Sequence, residues 1–405
     1  MAKKLWGGRF TKEIDKDFFE FQKSIQHDHK LAKYDIIHSM VHTMALGWAK
    51  LLSPAEKNKL LKALKEIRED IKKGKFKYDS ASEDVHTDIQ NKIEKKIGKL
   101  ALKLHTLRSR NDQIAFDEKL YCHDAAGSIS NSLDGVLESL KLLAARYKSV
   151  SIVGYTHTQR AQKVLFRDYL GAFCLMLERD KKRISDFLQT LEISIGAGAL
   201  AGSSIKTQYC KAIAEHAKNE KGPLFTPSLN TLDDVSNRDF VIELLSIISI
   251  LQMHLSRLAE DMILYSTKEF NFVDLPEEFC TGSSMMPHKK NPDFMELVRG
   301  YTGRIYGNLV SILVTMKGLP LTYNRDMQLD KEPLFSSVEI IENELNIMGK
   351  LIKGIRLNEG VIEKALKDED LYAVALAEKL VREHNIPFRE AHDIVGKKIA
   401  KRGIR

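Results

Sequence analysis

Between Pro227 and Pro276 the chain contains neither Gly nor Pro, an interval that can hold one very long helix. From Val241 to Ile263 the apolar residues Val241, Ile242, Leu244, Leu245, Ile247, Ile248, Ile250, Leu251, Leu255, Leu258, Met262 and Ile263 cover most of its circumference. A helix apolar nearly all round is buried, usually inside a bundle. Ser236 or Asn237 is the expected N-cap, with Asp239 in the first turn. Similar long patterns run from Ile114 to Tyr147, Lys163 to Ile193 and Phe294 to Met316. The pattern predicts an all-α chain built on a central bundle of long helices.

Elsewhere the periodicity is shorter. Lys57 to Lys77 carries nine Lys or Arg against three acids, with Leu60, Leu61, Leu64, Ile67 and Ile71 at helical spacing. This reads as a surface helix with a solvated basic face, closed by Gly74. No aromatic residue interrupts those lysines before Phe76 and Tyr78, so base stacking has little to work with. After Asn358 short helical patterns break at Pro387 and run to Arg405.

Composition narrows the class. With 405 residues, 43% of them hydrophobic, the chain can bury two or three domains' worth of core. Gly and Pro number only 23 and 9, too few for a loop-rich all-β protein. The net charge of +8 suits an anion-binding enzyme about as well as a nucleic-acid binder. Cys122, Cys174, Cys210 and Cys280 stand far apart without zinc-ligand spacing, pointing to a reducing cytoplasmic setting and no structural metal. The N-terminus has no apolar signal core, and the uncharged stretches Leu244 to Ser256 and Ile193 to Ile205 are too short to span a bilayer. The expectation is a cytoplasmic protein without membrane or nucleic-acid partners.

Candidate chemistry gathers in a few stretches. TGSSMMPHKKNP, residues 281 to 292, is a loop whose amides beside Ser283 and Ser284, with Lys289, can hold a carboxylate or an enolate-like dianion; an exposed basic loop has the same composition. In GYTHTQ, residues 154 to 159, His157 is bracketed by hydroxyl and amide side chains and has the ring suited to proton transfer near neutrality, although a lone histidine is more often structural. SRNDQ at 109 to 113 and EDVHT at 83 to 87 are polar clusters that also read as caps or turns. GAGALAG at 196 to 202 lacks the preceding strand and spaced acid of a dinucleotide fingerprint and is expected to form a tight turn or a close helix contact.

Taken together these stretches resemble the argininosuccinate lyases of the fumarase and aspartase superfamily. GSSMMPHKKNP matches every fixed position of the superfamily signature GSSxMPxKxNP, and LWGGRF at 5 to 10, LHTLRSRNDQ, YTHTQRAQ, DDVSNRDFV, TYNRDMQLDKE and FREAHDIVG are similar to stretches of the argininosuccinate branch. The resemblance implies a three-domain fumarase/aspartase-like fold, here 1–107, a central bundle 108–361 and a small C-terminal domain 362–405. It implies a homotetramer with active sites shared between subunits, no cofactor and no metal, and reversible elimination of argininosuccinate to arginine and fumarate in arginine biosynthesis. The alternatives are another fumarate-releasing lyase, such as an adenylosuccinate lyase, or an inactive lyase-fold structural protein.

By the same resemblance Ser283 is the base on the carbon-bound proton, His157 the acid for the leaving nitrogen and Glu296 the carboxylate orienting His157, with the acid and base labels of Ser283 and His157 open to exchange. Lys289 and Asn291 grip the carboxylate that accumulates charge. Ser24, Ser109, Arg110, Asn111, Thr156, Arg238, Tyr323, Gln328 and Lys331 contact the substrate, and His86 and Thr87 line the fumarate side. Three positions depart from the family pattern. Leu107 stands where the family has Gly, Leu329 where many members have Glu, and YAVALAEKLV replaces a pattern containing ATDLA. The chain also stops soon after FREAHDIVG, where family members continue through further helices.

Overall fold

The computed structural model describes residues 11–401; LWGGRF lies outside them apart from what its sequence conveys. The chain is mostly helical. Its long helices are Arg110–Arg146, Phe166–Thr190, Asp239–Ser266, Asp293–Met316 and Lys331–Gly354, close to the four long patterns expected from periodicity, with the fifth added. By length and apolar composition Asp239–Ser266 would also suffice to cross a membrane, but 61% of its apolar window is buried inside the protein, as in a core helix. Of the two expected capping residues, Ser236 ends a separate short helix, Thr231–Ser236, while Asn237 Oδ1 accepts from the Asp239 amide at 2.8 Å.

The chain packs as two compact units. The first comprises residues 1–129, 183–249 and 304–340. In it the helix Ala32–Trp48 is almost wholly buried and packs on Pro54–Lys72 and Lys206–Asn219. Pro54–Lys72 is the basic helix read from the sequence; Ser53 and Glu56 form a reciprocal capping box, Leu60, Ala63, Leu64 and Ile67 are buried, and Gly74 follows with φ +66°. The GAGALAG stretch is a turn. Gly196, Gly198 and Gly202 all have positive φ, and Asp112 Oδ1 accepts from the Gly196 and Ala197 amides at 3.2 Å each. Contrary to the sequence reading, a strand does precede it: Ile193–Ile195 pairs in parallel with Phe225–Pro227, too short to show in the pattern.

The second unit comprises residues 130–182, 250–303 and 341–405. Its helical segments lie against one another through named contacts. Gln252 donates to the Val298 carbonyl at 2.8 Å and Tyr169 to Asp261 at 2.8 Å, and a Cβ added at Gly349 would lie 3.4 Å from the Gly135 carbonyl oxygen. After Asn358 the chain forms Glu359–Ala365, Ala373–His384 and Phe388–Ala400, the last two packed through Ala377, Ala391 and Val395. Among the described residues, six short strands form three two-stranded pairs that helical periodicity did not reveal. The longest pair is the hairpin Ser151–Thr156 and Gln159–Leu165, whose polar second strand carries no alternating apolar signal.

Two consequences can be measured. An Ala side chain at Gly196 would place Cβ 2.6 Å from the Tyr209 ring at φ +92°. Gly196→Ala is therefore expected to cost about 2–4 kcal/mol, read as a lower denaturant midpoint; an unchanged midpoint contradicts the packing. Glu344, 5% exposed, has its carboxyl pushed up by burial from 4.5 to about 8. The folded state thus holds a proton that the unfolded chain releases, so this contribution to stability is present below the ordinary carboxyl range and is lost as pH rises towards 8. Glu344→Gln should flatten that decline in a series of melting temperatures against pH, and an identical decline in both proteins argues against it.

Candidate active site

In the first unit two helix N-termini converge. Asp84 caps Val85–Ile97 by accepting from the Thr87 amide at 2.7 Å, and Ser109 Oγ accepts from the Asn111 amide at 3.3 Å where Arg110–Arg146 begins. Arg110 ties them together, donating to Thr87 Oγ1 at 3.1 Å and pairing with Asp84 at 2.9 Å. Ser109, Arg110, Asn111, His86 and Thr87 therefore lie in one neighbourhood, where amide donors and a guanidinium favour an anion. His86 is buried, with Nδ1 3.0 Å from Asp35 Oδ1 and 3.6 Å from Asp117 Oδ2. Asp35, His86 and Asp117 bring ligand-type atoms within 4.8 Å of one another. His86 Nδ1 already serves Asp35, and all three are sealed from solvent, so the group is a hydrogen-bonded charge network rather than an open metal centre.

Ser24 joins the same unit from its N-terminal side. It donates to Asp28 Oδ2 at 2.5 Å, and Asp28 Oδ1 accepts from the Val85 amide at 3.0 Å, so Asp28 ties Ser24 to the start of the Val85–Ile97 helix. Gln328 donates to the Gln22 carbonyl at 3.0 Å. Arg238 and Lys331, assigned to the substrate by resemblance, are almost completely buried. Arg238 Nε lies 2.5 Å from Asp330 and 3.1 Å from Glu118, and Lys331 Nζ lies 3.1 Å from Glu118 and 3.4 Å from Asp330. Burial and the neighbouring Asp330 push the Glu118 carboxyl up to about 7. Glu118 and Asp330 were not foreseen: a single buried acid in a helical pattern carries no signal of its partner. Burial also raises the Tyr323 hydroxyl, against the opposing pull of Lys331, Arg325 and Arg238 nearby.

The second unit carries the signature loop and the histidine hairpin. Thr281 and Asn291 bridge the loop's ends, with Thr281 Oγ1 donating to Asp293 at 2.6 Å. Ser283 Oγ accepts from the Met285 and Met286 amides at 3.3 and 3.1 Å, so two backbone donors stand at the oxygen that would bear negative charge. Asn291 Nδ2 donates to the Gly282 carbonyl at 3.4 Å, and Lys289 is exposed on the same loop. His157 and Thr158 form the two-residue hairpin turn, with φ of 53° and 58°. Positive φ at both positions is the pattern of a type I′ turn, which ordinarily favours Asn-Gly, and it holds His157 and Thr156 exposed at the tip. Glu296 faces solvent 3.9 Å from Arg299, and no hydrogen bond or ion pair among the described residues joins it or Ser283 to His157.

With this geometry in view, the comparisons are specific. A lyase family profile matches residues 8–307, and the argininosuccinate lyase C-terminal profile matches 370–403. The argininosuccinate lyase of Caldanaerobacter subterraneus is 45% identical over 395 residues, covering 97% of this chain and 88% of that protein. The chain belongs to the argininosuccinate lyase family. The argininosuccinate lyase of Geotalea daltonii is 44% identical over 400 residues, covering 98% of this chain and 85% of that protein. Among solved structures, a Brucella melitensis fumarate lyase:delta crystallin bound to cobalt superposes with a TM-score of 0.80 at 18% identity, covering 94% of this chain and 86% of that one. The class II fumarase of Schistosoma mansoni gives 0.75 at 18% identity over 93% and 88%. These structures share the fold, so the expected fumarase/aspartase architecture is observed.

Family membership also explains one departure. Leu107, where the family has Gly, adopts φ +57° with its side chain largely in solvent. The family glycine thus answers a left-handed backbone, which costs a side-chain-bearing residue about 1–2 kcal/mol. Leu107→Gly should leave stability unchanged or raise it by about 1 kcal/mol, measured by chemical unfolding, and a marked loss of stability would refute the strain.

Proposed function

We infer that this chain cleaves argininosuccinate reversibly to arginine and fumarate. The observation that carries the reading is the 45% identity to an argininosuccinate lyase over 97% of the chain, with the whole signature loop retained. Argininosuccinate carries three carboxylates, and the chain offers Arg110, Asn111, Lys289 and Asn291 together with two helix N-termini to meet them. Arg238 and Lys331 act on it from within their buried network. Tyr323, Gln328, Ser24 and Ser109 complete the polar lining, and Thr156 lies beside His157.

The chemistry follows from charge. Removing the proton on carbon next to a carboxylate pushes the electron pair into that carboxylate, giving a doubly negative aci-carboxylate. Ser283 is the base, its alkoxide favoured by the Met285 and Met286 amides, while Lys289 and Asn291 stabilise the accumulating charge. The pair then returns to form the fumarate double bond, the carbon–nitrogen bond breaks, and His157 gives its proton to the departing guanidinium nitrogen.

Assembly completes the site. His157 reaches Ser283 from a neighbouring subunit of a homotetramer, where Glu296 orients it. Tyr306, Val310, Leu313 and Val314, exposed on the Asp293–Met316 helix, supply an apolar face for that association. The functional domains are 1–107, 108–361 and 362–405, and the enzyme serves arginine biosynthesis in the cytoplasm, consistent with four free cysteines.

The test is direct. Purified protein given argininosuccinate should release fumarate, and Ser283→Ala should lower turnover at least about a thousandfold while light scattering still reports a tetramer. Faster release from adenylosuccinate would replace the substrate assignment. No release from either leaves a structural protein, and full activity in Ser283→Ala removes the serine from the mechanism.

A further inference from the structure

The first unit contains buried chemistry that the proposed mechanism leaves unused. His86 opens the Val85–Ile97 helix with a side chain wholly out of solvent. Its Nδ1 meets Asp35 Oδ1 at 3.0 Å, while its Nε2 is buried and has no hydrogen-bond partner among the described residues. Asp35 reaches it from the helix Ala32–Trp48 and is held by a second donor, Gln113 Nε2, at 2.6 Å to the same oxygen. Asp117 Oδ2 stands 3.6 Å from the same ring nitrogen. Asp28 and Asp84 also act on it through their charge.

These neighbours fix the ring. Asp35 accepts, so the Nδ1 of His86 carries the hydrogen and Nε2 is its free end. Burial opposes a charge on Asp35, but His86, Arg108 and His38 together outweigh it and hold the carboxyl well below the usual range. Asp117 is pushed the opposite way, by burial and by Asp35, so the two acids near the ring differ in character. A purely structural ion pair would satisfy both ring nitrogens, because a buried nitrogen left unpaired is costly. The free nitrogen lies one residue from Thr87, which Arg110 grips.

We propose that Asp35 is a positioning residue of the lyase reaction, holding the His86 ring by Nδ1 so that Nε2 donates a charge-assisted hydrogen bond to a carboxylate on the fumarate side of the substrate. This rests on the lyase reading above, and it adds to that reading a residue with no substrate contact of its own. Gln113 locks Asp35 in the orientation that the ring requires.

The experiment uses the full chain with Asp35→Asn, Asp35→Glu, His86→Gln and the double variant Asp35→Asn/His86→Gln, each checked for assembly by light scattering. Asp35→Asn and His86→Gln should each lower kcat/KM for argininosuccinate by about tenfold to a hundredfold, and Asp35→Glu should recover part of the loss. In the double variant Asp35→Asn should add nothing, because Asp35 acts only through the ring. Multiplying losses, or full activity in Asp35→Asn, would overturn the proposal. A readout independent of turnover is nitrogen-15 NMR of the histidine rings in the unsubstituted protein, with His86 assigned from the signal lost in His86→Gln or displaced in Asp35→Glu. A protonated Nδ1 near neutral pH supports the arrangement, and a bare Nδ1 overturns it. If the parent protein released no fumarate, the lyase reading would fail on its own while the ring readout still judged the Asp35–His86 pair.

Discussion

Arg238, Lys331, Glu118 and Asp330 place four ionisable groups where solvent hardly reaches them. A charge removed from water is tolerated only when partners replace its hydration, and here each cation meets two acids within 3.4 Å. The same constraint governs Asp35, His86 and Asp117 a short way along the Arg110–Arg146 helix. Apolar packing would be the cheaper way to fill such a core, so the retention of these groups demands another reason. Recognition of a substrate with three carboxylates supplies one: cationic groups already fixed in place need little reorganisation when an anion arrives.

The two units meet that demand differently. In the first, polar side chains are held by helix starts, through Asp84, Ser109 and Asp28, so their geometry is set by secondary structure. In the second, the side chains proposed to react sit on irregular backbone. Ser283 is framed by amides of its own loop, and His157 occupies a turn that forces a left-handed conformation on two residues bearing side chains.

Much of this was legible in the sequence. The long helices announced themselves because burial on every side demands apolar residues around the whole circumference, a pattern that Val241 to Ile263 carries without ambiguity. Gly196, Gly198 and Gly202 marked a tight turn or a close helix contact, and their positive φ shows the turn. Ser283, Lys289 and Asn291 could be read from a loop whose residues are neighbours in the chain as well as in space.

What the sequence could not determine lay in contacts between distant residues. That Glu118 pairs with Lys331, that Asp35 takes the His86 ring and that Asp112 holds the Gly196 turn depends on helices brought together from far apart in the chain, and no local pattern encodes them. The hairpin carrying His157 was hidden because a two-stranded pair with an exposed strand needs no apolar alternation. At Leu107 the sequence marked an unusual residue, but only the backbone explained it, as a left-handed position rather than a crowded one. Local periodicity thus decided the helices, because burial acts on each residue separately; tertiary structure decided the charge partners, because desolvated groups are stabilised in pairs.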